Sequence, residues 1–179
     1  MLGRTKDKSN RSKYDYYITP DIAVIELLKR EKFDGLGWEP ACGNGAISKF
    51  FKNIINTDIR PNIMIGDGGI DFLKYSRQVD YIITNPPHSL SLAFARHALE
   101  CASKVALYLS IEFLESKKRY EFFRQNPPIR IYVFSNRVPY GIEVNGKVEW
   151  HNQQRCDCWF IWEKGFKGSP TLDWVLCDT

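Results

Sequence analysis

The chain contains no run of about 18 apolar residues, so no membrane-spanning helix is expected. Its first residues, Met1 to Lys13, are polar and basic and lack the apolar stretch of a secretory signal, which places the protein in the cytoplasm by expectation. Cysteine is too sparse and too irregular for a disulfide scaffold. The five (Cys42, Cys101, Cys156, Cys158, Cys177) are an odd number and read as reduced thiols, mostly buried. Paired Cys-x2–4-Cys spacing is missing, and Cys156 and Cys158 near His151 merely put two small residues on one face of a strand, so no metal centre is expected. Neither sign of charge dominates: 25 Lys and Arg against 21 Asp and Glu give a net charge of +4. That balance allows a polyanionic partner without requiring one. The densest basic runs, Arg4 to Lys13 and Lys117-Lys118-Arg119, read equally well as a solvated tail and a helix face. There is no internal repeat, and nothing marks a second domain.

What is present is ordinary for a globular protein: 179 residues, 44% hydrophobic and 26% charged, enough for one core. We expect a flexible basic tail over 1–13 and a single domain over 14–179. Thr19-Pro20-Asp21 reads as a helix start, with Thr19 at the N-cap and Pro20 in the first helical position of a helix over 20–32. Strands are predicted at 35–38, 54–57, 63–65, 81–84, 104–111, 130–134 and 157–162, with helices at 46–53, 71–73, 89–102 and 117–125 between them. Tyr81-Ile82-Ile83-Thr84 is a continuous apolar and β-branched run, as befits a strand buried on both faces. The alternation implies an α/β fold, a mostly parallel doubly wound sheet covered by helices on both faces. Between the last two strands lies a long polar insertion, Pro139 to Arg155.

In such sheets ligands bind beyond the carboxyl ends of the strands. Those ends carry Glu39-Pro40-Ala41-Cys42-Gly43-Asn44-Gly45, then Asp58, Asp71-Phe72 and Asn85-Pro86-Pro87-His88. Gly43 and Gly45 permit a sharp turn and a close backbone approach to a ligand. Asp58 follows Glu39 by 19 residues, a spacing that suits a carboxylate gripping ribose hydroxyls. The third glycine of a dinucleotide fingerprint is missing, since Ser48 stands there. With Glu39 and Asn44 beside it, the loop suits an amine-bearing cationic ligand better than a pyrophosphate. The two prolines after Asn85 end the strand and stiffen the turn. A turn alone would not require an amide at that strand end.

Together these segments resemble the class I S-adenosylmethionine-dependent amino-methyltransferases, the group that includes adenine-N6 and cytosine-N4 DNA methyltransferases. Glu39 to Gly45 is similar to the family's cofactor motif, Thr84-Asn85-Pro86-Pro87-His88 to its catalytic motif, and Tyr17-Ile18-Thr19-Pro20 to the Thr-Pro element that closes over the methionine moiety. The match runs from about Tyr16 to Gly165 and includes Phe113 to Ser116 and Trp159 to Lys164. The resemblance implies a Rossmann-like sheet with an antiparallel strand near the C-terminus, and S-adenosyl-L-methionine as cofactor. It implies a cofactor site of Tyr17, Thr19, Pro20, Glu39, Ala41, Gly43, Gly45, Asp58, Asp71, Phe72 and Asn85. Within it Glu39 would orient the methionine amino group, Asp58 the ribose and Asp71 the adenine amino group, while Phe72 packs on the adenine. From residues alone, Asp71-Phe72 reads also as a helix cap beside a core aromatic.

Asn85, Pro86, Pro87 and His88 would form the catalytic turn, acting on an exocyclic amino group of a nucleic-acid base, with adenine N6 in DNA placed first and DNA ahead of RNA as partner. A base drawn from a duplex then needs a stacking platform. The family has Tyr, Phe or Trp where this chain has His88, which leaves Tyr140 as another candidate ring. Alternatives are methylation of RNA or of a protein glutamine amide, and an inactive nucleic-acid-binding subunit. The insertion over 139–155 is the one candidate for target recognition. Tyr140, Asn145, Lys147, Trp150, His151 and Asn152 to Arg155 supply groups that read base edges or grip phosphate. It reads also as an ordinary polar hairpin turning at Asn145-Gly146.

Overall fold

The computed structural model describes residues 16–177. The expected basic tail over 1–13 lies outside the described residues. Ten strands form between them: β1 (Gly37–Glu39), β2 (Ile54–Asp58), β3 (Asp67–Gly68), β4 (Val79–Thr84), β5 (Ala102–Ser110), β6 (Arg130–Phe134), β7 (Tyr140–Val144), β8 (Lys147–His151), β9 (Asp157–Glu163) and β10 (Thr171–Val175). The α-helices are α1 (Asp21–Leu28), α2 (Ser91–Cys101) and α3 (Lys117–Gln125). Eight strands make one sheet in the order β10-β6-β9-β5-β4-β1-β2-β3, and β7 and β8 pair as a separate hairpin. Neighbours in the large sheet are parallel except β9, which runs antiparallel to both β5 and β6. The expected α/β sheet with an antiparallel strand near the C-terminus is therefore the observed one.

Side-chain alternation explains why the central strands read as unbroken apolar runs. Tyr81 and Ile83 of β4 face Ala23, Val24 and Leu27 of α1, while Ile82 faces the side where Phe94, Ala95 and Ala98 of α2 and Phe122 of α3 pack. In β5, Ala106 and Tyr108 join the first layer, Val105, Leu107 and Leu109 the second. Both faces are covered, so both alternating sets are apolar.

Four local expectations are corrected. The helix expected over 46–53 is a run of turns with one 3₁₀ turn at Ser48–Phe50. Phe51 is already extended, and its ring packs 5.6 Å from those of both Phe33 and Tyr81, so tertiary packing ends the helical turn early. No strand forms at 63–65. The third strand starts at Asp67, after Gly66 takes φ +80° so close to β2 that a Cβ there would sit 2.1 Å from the Asn56 carbonyl oxygen. Helix α1 is shorter than expected, and Pro20, not Thr19, stands at its N-cap with no side-chain cap bond. Finally, β10 was not foreseen; it adds to β6 in parallel at the sheet edge.

The chain leaves β1 for β2 and β3 on one side and β4 for β5 on the other, so β1 and β4 flank the point where strand order reverses. The crevice beyond their carboxyl ends is the place such a sheet offers a ligand.

Candidate functional site

A cavity opens at that crevice, lined by Tyr16 to Thr19, Glu39 to Cys42, Asn44, Asp58 to Arg60, Asp71, Phe72, Asn85 and Pro87, among others. At its floor β1 delivers Glu39, 2% exposed, with Oε2 buried and without a hydrogen-bond partner. Burial pushes this carboxyl well above the usual carboxylate range; the hydroxyl and N–H of Ser48 oppose the shift and Asp58 adds to it. A buried carboxylate oxygen with no partner is costly unless a cationic donor arrives, so this position fits an ammonium group. Cys42, on the same loop, has its thiol pushed up to about 12, first by burial and then by Glu39 and Asp58, which rules out a ready thiolate.

Asn85 stands at the end of β4. Its Nδ2 donates to the Tyr17 carbonyl at 3.3 Å and to Thr19 Oγ1 at 3.0 Å. A carbonyl can only accept, so the amide nitrogen must face Tyr17. Both N–H bonds of the amide are thereby used, and Oδ1 is left as the group with which Asn85 can meet a ligand. Thr19 stands one residue before the N-cap Pro20 of α1, and its hydroxyl serves Asn85, 66 residues away along the chain.

Asp58 ends β2, 5% exposed. Its Oδ2 accepts from the Gly43 N–H at 2.9 Å, which ties the glycine loop to β2. Arg60 grips the same carboxylate through Nε at 3.0 Å and Nη2 at 3.1 Å, and its guanidinium lies 4.0 Å from the centre of the Tyr16 ring. That ring in turn covers Gly43, where a Cβ would come within 2.4 Å of it; with φ +59°, the position favours glycine twice over. Asp71 caps a 3₁₀ turn by accepting from Leu73 N at 3.1 Å. Phe72 is a core ring, 4.9 Å from Trp38 and 4.8 Å from Phe94, whose edge reaches the cavity. The structural reading of this pair is thus present alongside any cofactor role.

Of the residues expected in the site, Tyr17, Thr19, Glu39, Ala41, Asp58, Asp71, Phe72, Asn85 and Pro87 line the cavity. Pro20, Gly43, Gly45, Pro86 and His88 do not. Pro86 is buried behind the turn, and the His88 ring lies outside the cavity, 6.0 Å from that of Tyr17. Sequence reasoning missed Tyr16 and Arg60; an arginine two places after a strand-end aspartate was the available signal. The insertion over 139–155 folds as the β7–β8 hairpin, turning at Asn145-Gly146, both with positive φ. No cluster of metal-binding side chains occurs among the described residues, and no helix there is long and apolar enough to cross a membrane.

No protein-family profile and no curated protein sequence matches the chain. Solved structures do. A candidate RNA methyltransferase of Pyrococcus horikoshii superposes with a TM-score of 0.54 at 14% identity, over 86% of this chain and 90% of that one. The methyltransferase subunit of a Streptococcus thermophilus type I restriction-modification system gives 0.56 at 13% identity, over 89% of this chain and 47% of its own. The fold is the class I methyltransferase fold. The M protein of the type I restriction enzyme EcoKI gives 0.54 at 15% identity, over 83% of this chain and 44% of that one. This methyltransferase-fold chain therefore spans about half the length of the type I subunits it resembles.

Proposed function

We propose that the chain is an S-adenosyl-L-methionine-dependent methyltransferase acting on an exocyclic amino group of a nucleic-acid base, with adenine N6 in DNA as the first candidate. The reading rests on one observation above the others: the Asn85 amide is held by both of its N–H bonds, so that its oxygen is the acceptor left for a substrate amine. When bound, the cofactor supplies a methyl group on a sulfonium centre. Its ammonium would meet the unpartnered Oε2 of Glu39, and Asp58 its ribose hydroxyls once Arg60 yields.

An exocyclic amine is a poor nucleophile because its lone pair is delocalised into the ring. Accepting an N–H bond of the amine at Asn85 Oδ1, with the resemblance of the motif assigning the other to the Pro86 backbone carbonyl, localises that lone pair and favours the charged transition state over the planar ground state. The proton can leave after transfer, so no general base is required. The rings of Tyr17, Tyr140 and His88 stand near one another at the catalytic turn, with Tyr17 5.3 Å from Tyr140 and 6.0 Å from His88, a natural place for a planar target to stack. DNA is favoured as substrate by the resemblance of the motifs and by the type I subunits among the fold neighbours.

The test is transfer of labelled methyl to DNA, RNA and protein, followed by mapping of the modified atom. Labelled amino nitrogen on a DNA base is the expected result. Label on RNA or on a glutamine amide would move the substrate, and no label on any of them would favour a nucleic-acid-binding subunit without activity.

A further inference from the structure

The β7–β8 hairpin and the catalytic amide are more than 50 residues apart in sequence, yet a single short segment touches both. Ile18 forms an isolated antiparallel bridge to Gly141 of β7, with Ile18 N donating to Gly141 O at 2.8 Å and Gly141 N to Ile18 O at 3.0 Å. The residues on either side of Ile18 are the two that hold Asn85: Tyr17 through its carbonyl and Thr19 through its hydroxyl. Ring contacts run the same way. Tyr17 meets Tyr140 edge-on at 5.3 Å, and Tyr140 stacks on His151 of β8 at 5.7 Å and 25°.

The bridge is built for close approach. Gly141 is half of it because a Cβ there would stand 3.0 Å from the Ile18 Cβ and 2.9 Å from Val148 Cγ1. Its φ lies outside the left-handed region, so the requirement is space and not conformation. Ile18 itself is 4% exposed and Thr19 3% exposed, so neither can shift without disturbing what packs on it. The chain leaving the hairpin is tethered as well: Gln153 Nε2 donates to Asp157 Oδ2 at 3.0 Å, and Arg137 Nη1 to Gln153 O at 3.1 Å.

We propose that the hairpin is a positioning element of the transfer reaction: through Gly141 and Ile18 it sets where Tyr17 and Thr19 hold the Asn85 amide, so that a target seated on the hairpin also orients the catalytic oxygen. This rests on the function proposed above, in which Asn85 Oδ1 accepts the target amine. Gly141 is then a positioning residue, and Tyr140 contributes through its contact with Tyr17.

The test is Gly141→Ala, with Tyr140→Leu as a second variant at a half-buried position and Val144→Ala at the exposed end of β7 as control. Two readouts are taken. The first is the Asn85 side-chain amide signal pair in the NMR spectrum of the free protein. The second is kcat and KM for methyl transfer, alongside the affinity for S-adenosylhomocysteine. The expected result is displaced Asn85 amide signals in Gly141→Ala and Tyr140→Leu but not in Val144→Ala. It also includes kcat lower by roughly ten- to a hundredfold, the range that a misplacement on the order of 1 Å brings, with cofactor-product affinity within about twofold of wild type. Unmoved Asn85 signals in both variants overturn the proposal. So does a raised KM with unchanged kcat, which would make the hairpin a binding surface alone. Should wild type transfer no methyl to any substrate, the functional reading fails, while the Asn85 signals still decide whether the hairpin sets the amide.

Discussion

Replacing Glu39 with Gln is expected to move stability and cofactor affinity in opposite directions. In the free protein Glu39 is buried, and its Oε2 has no partner. Its carboxyl is raised well above the unfolded reference of 4.5 by burial, against the pull of Ser48. A group raised in the folded state favours folding fully below its unfolded value and loses that contribution as pH rises through the folded value. Each unit of elevation corresponds to about 1.4 kcal/mol that the ionised form costs at higher pH. Glu39→Gln removes this cost. Its Tm should match wild type near pH 4 and exceed it at pH 8, by roughly 2–4 °C for each kcal/mol in a chain of this length.

Binding should go the other way. Losing one partner of a buried charged pair costs about 2–5 kcal/mol, and glutamine, which keeps the shape and one acceptor, belongs near the low end, roughly 30- to 150-fold in Kd. In wild type the affinity should fall as pH drops through the raised value, because the ammonium needs the carboxylate, and proton release should accompany binding just below that raised value. Calorimetry with S-adenosylhomocysteine in two buffers of different ionisation enthalpy measures both quantities; thermal melts at pH 4 and 8 give the stability arm. Glu39→Gln that binds within threefold of wild type, or melts lower than wild type at pH 8, would refute the reasoning.

Arg60→Ala leaves Asp58 with the Gly43 and residue-60 backbone N–H groups but without the guanidinium, so the free protein should lose about 1–3 kcal/mol. Ribose hydroxyls would then compensate, and S-adenosylhomocysteine should raise Tm more in the variant than in wild type; thermal shift checks this. Glu31, buried at the opposite end of the strands, accepts from Lys104 Nζ at 2.6 Å and Tyr132 Oη at 2.8 Å and pairs with Arg130. Burial pushes its carboxyl up, but these donors together hold it below 4.5, so its contribution is present above that pH and lost as pH falls through the folded value. Glu31→Gln should cost roughly 2–3 kcal/mol at pH 7 in denaturant titrations, less in acid, and leave cofactor affinity unchanged. His88→Tyr should keep or raise kcat if the ring stacks on the target; a collapse in single-turnover rate would assign the imidazole a different task.

The layers of the fold were legible because hydrophobic period and strand burial agree. β4 and β5 are buried on both faces and read as unbroken runs; α3 and β6 were bounded residue for residue. β10 was invisible because Leu172 and Trp174 remain exposed, so its alternation does not separate a core face. The helix expected after Gly45 failed because Phe51 packs with Phe33 and Tyr81, a contact that local propensity does not contain. In the site, Glu39, Asp58 and Asn85 were legible as polar residues at strand ends. Thr19 was misread as a cap because α1 begins one residue later than expected, and that its hydroxyl serves Asn85 is set by the fold. Arg60 and Tyr16 were missed because their roles arise from each other and from Asp58, contacts made across the cavity and set by the fold.

Asn85→Ala tests the central claim most directly. Methyl transfer by this variant and binding of S-adenosylhomocysteine should be measured on the same preparation. The account predicts that transfer falls by roughly a hundredfold or more, as for loss of a hydrogen-bonding group that acts in the transition state, while binding stays within a few-fold of wild type. Undiminished transfer with binding intact would contradict it.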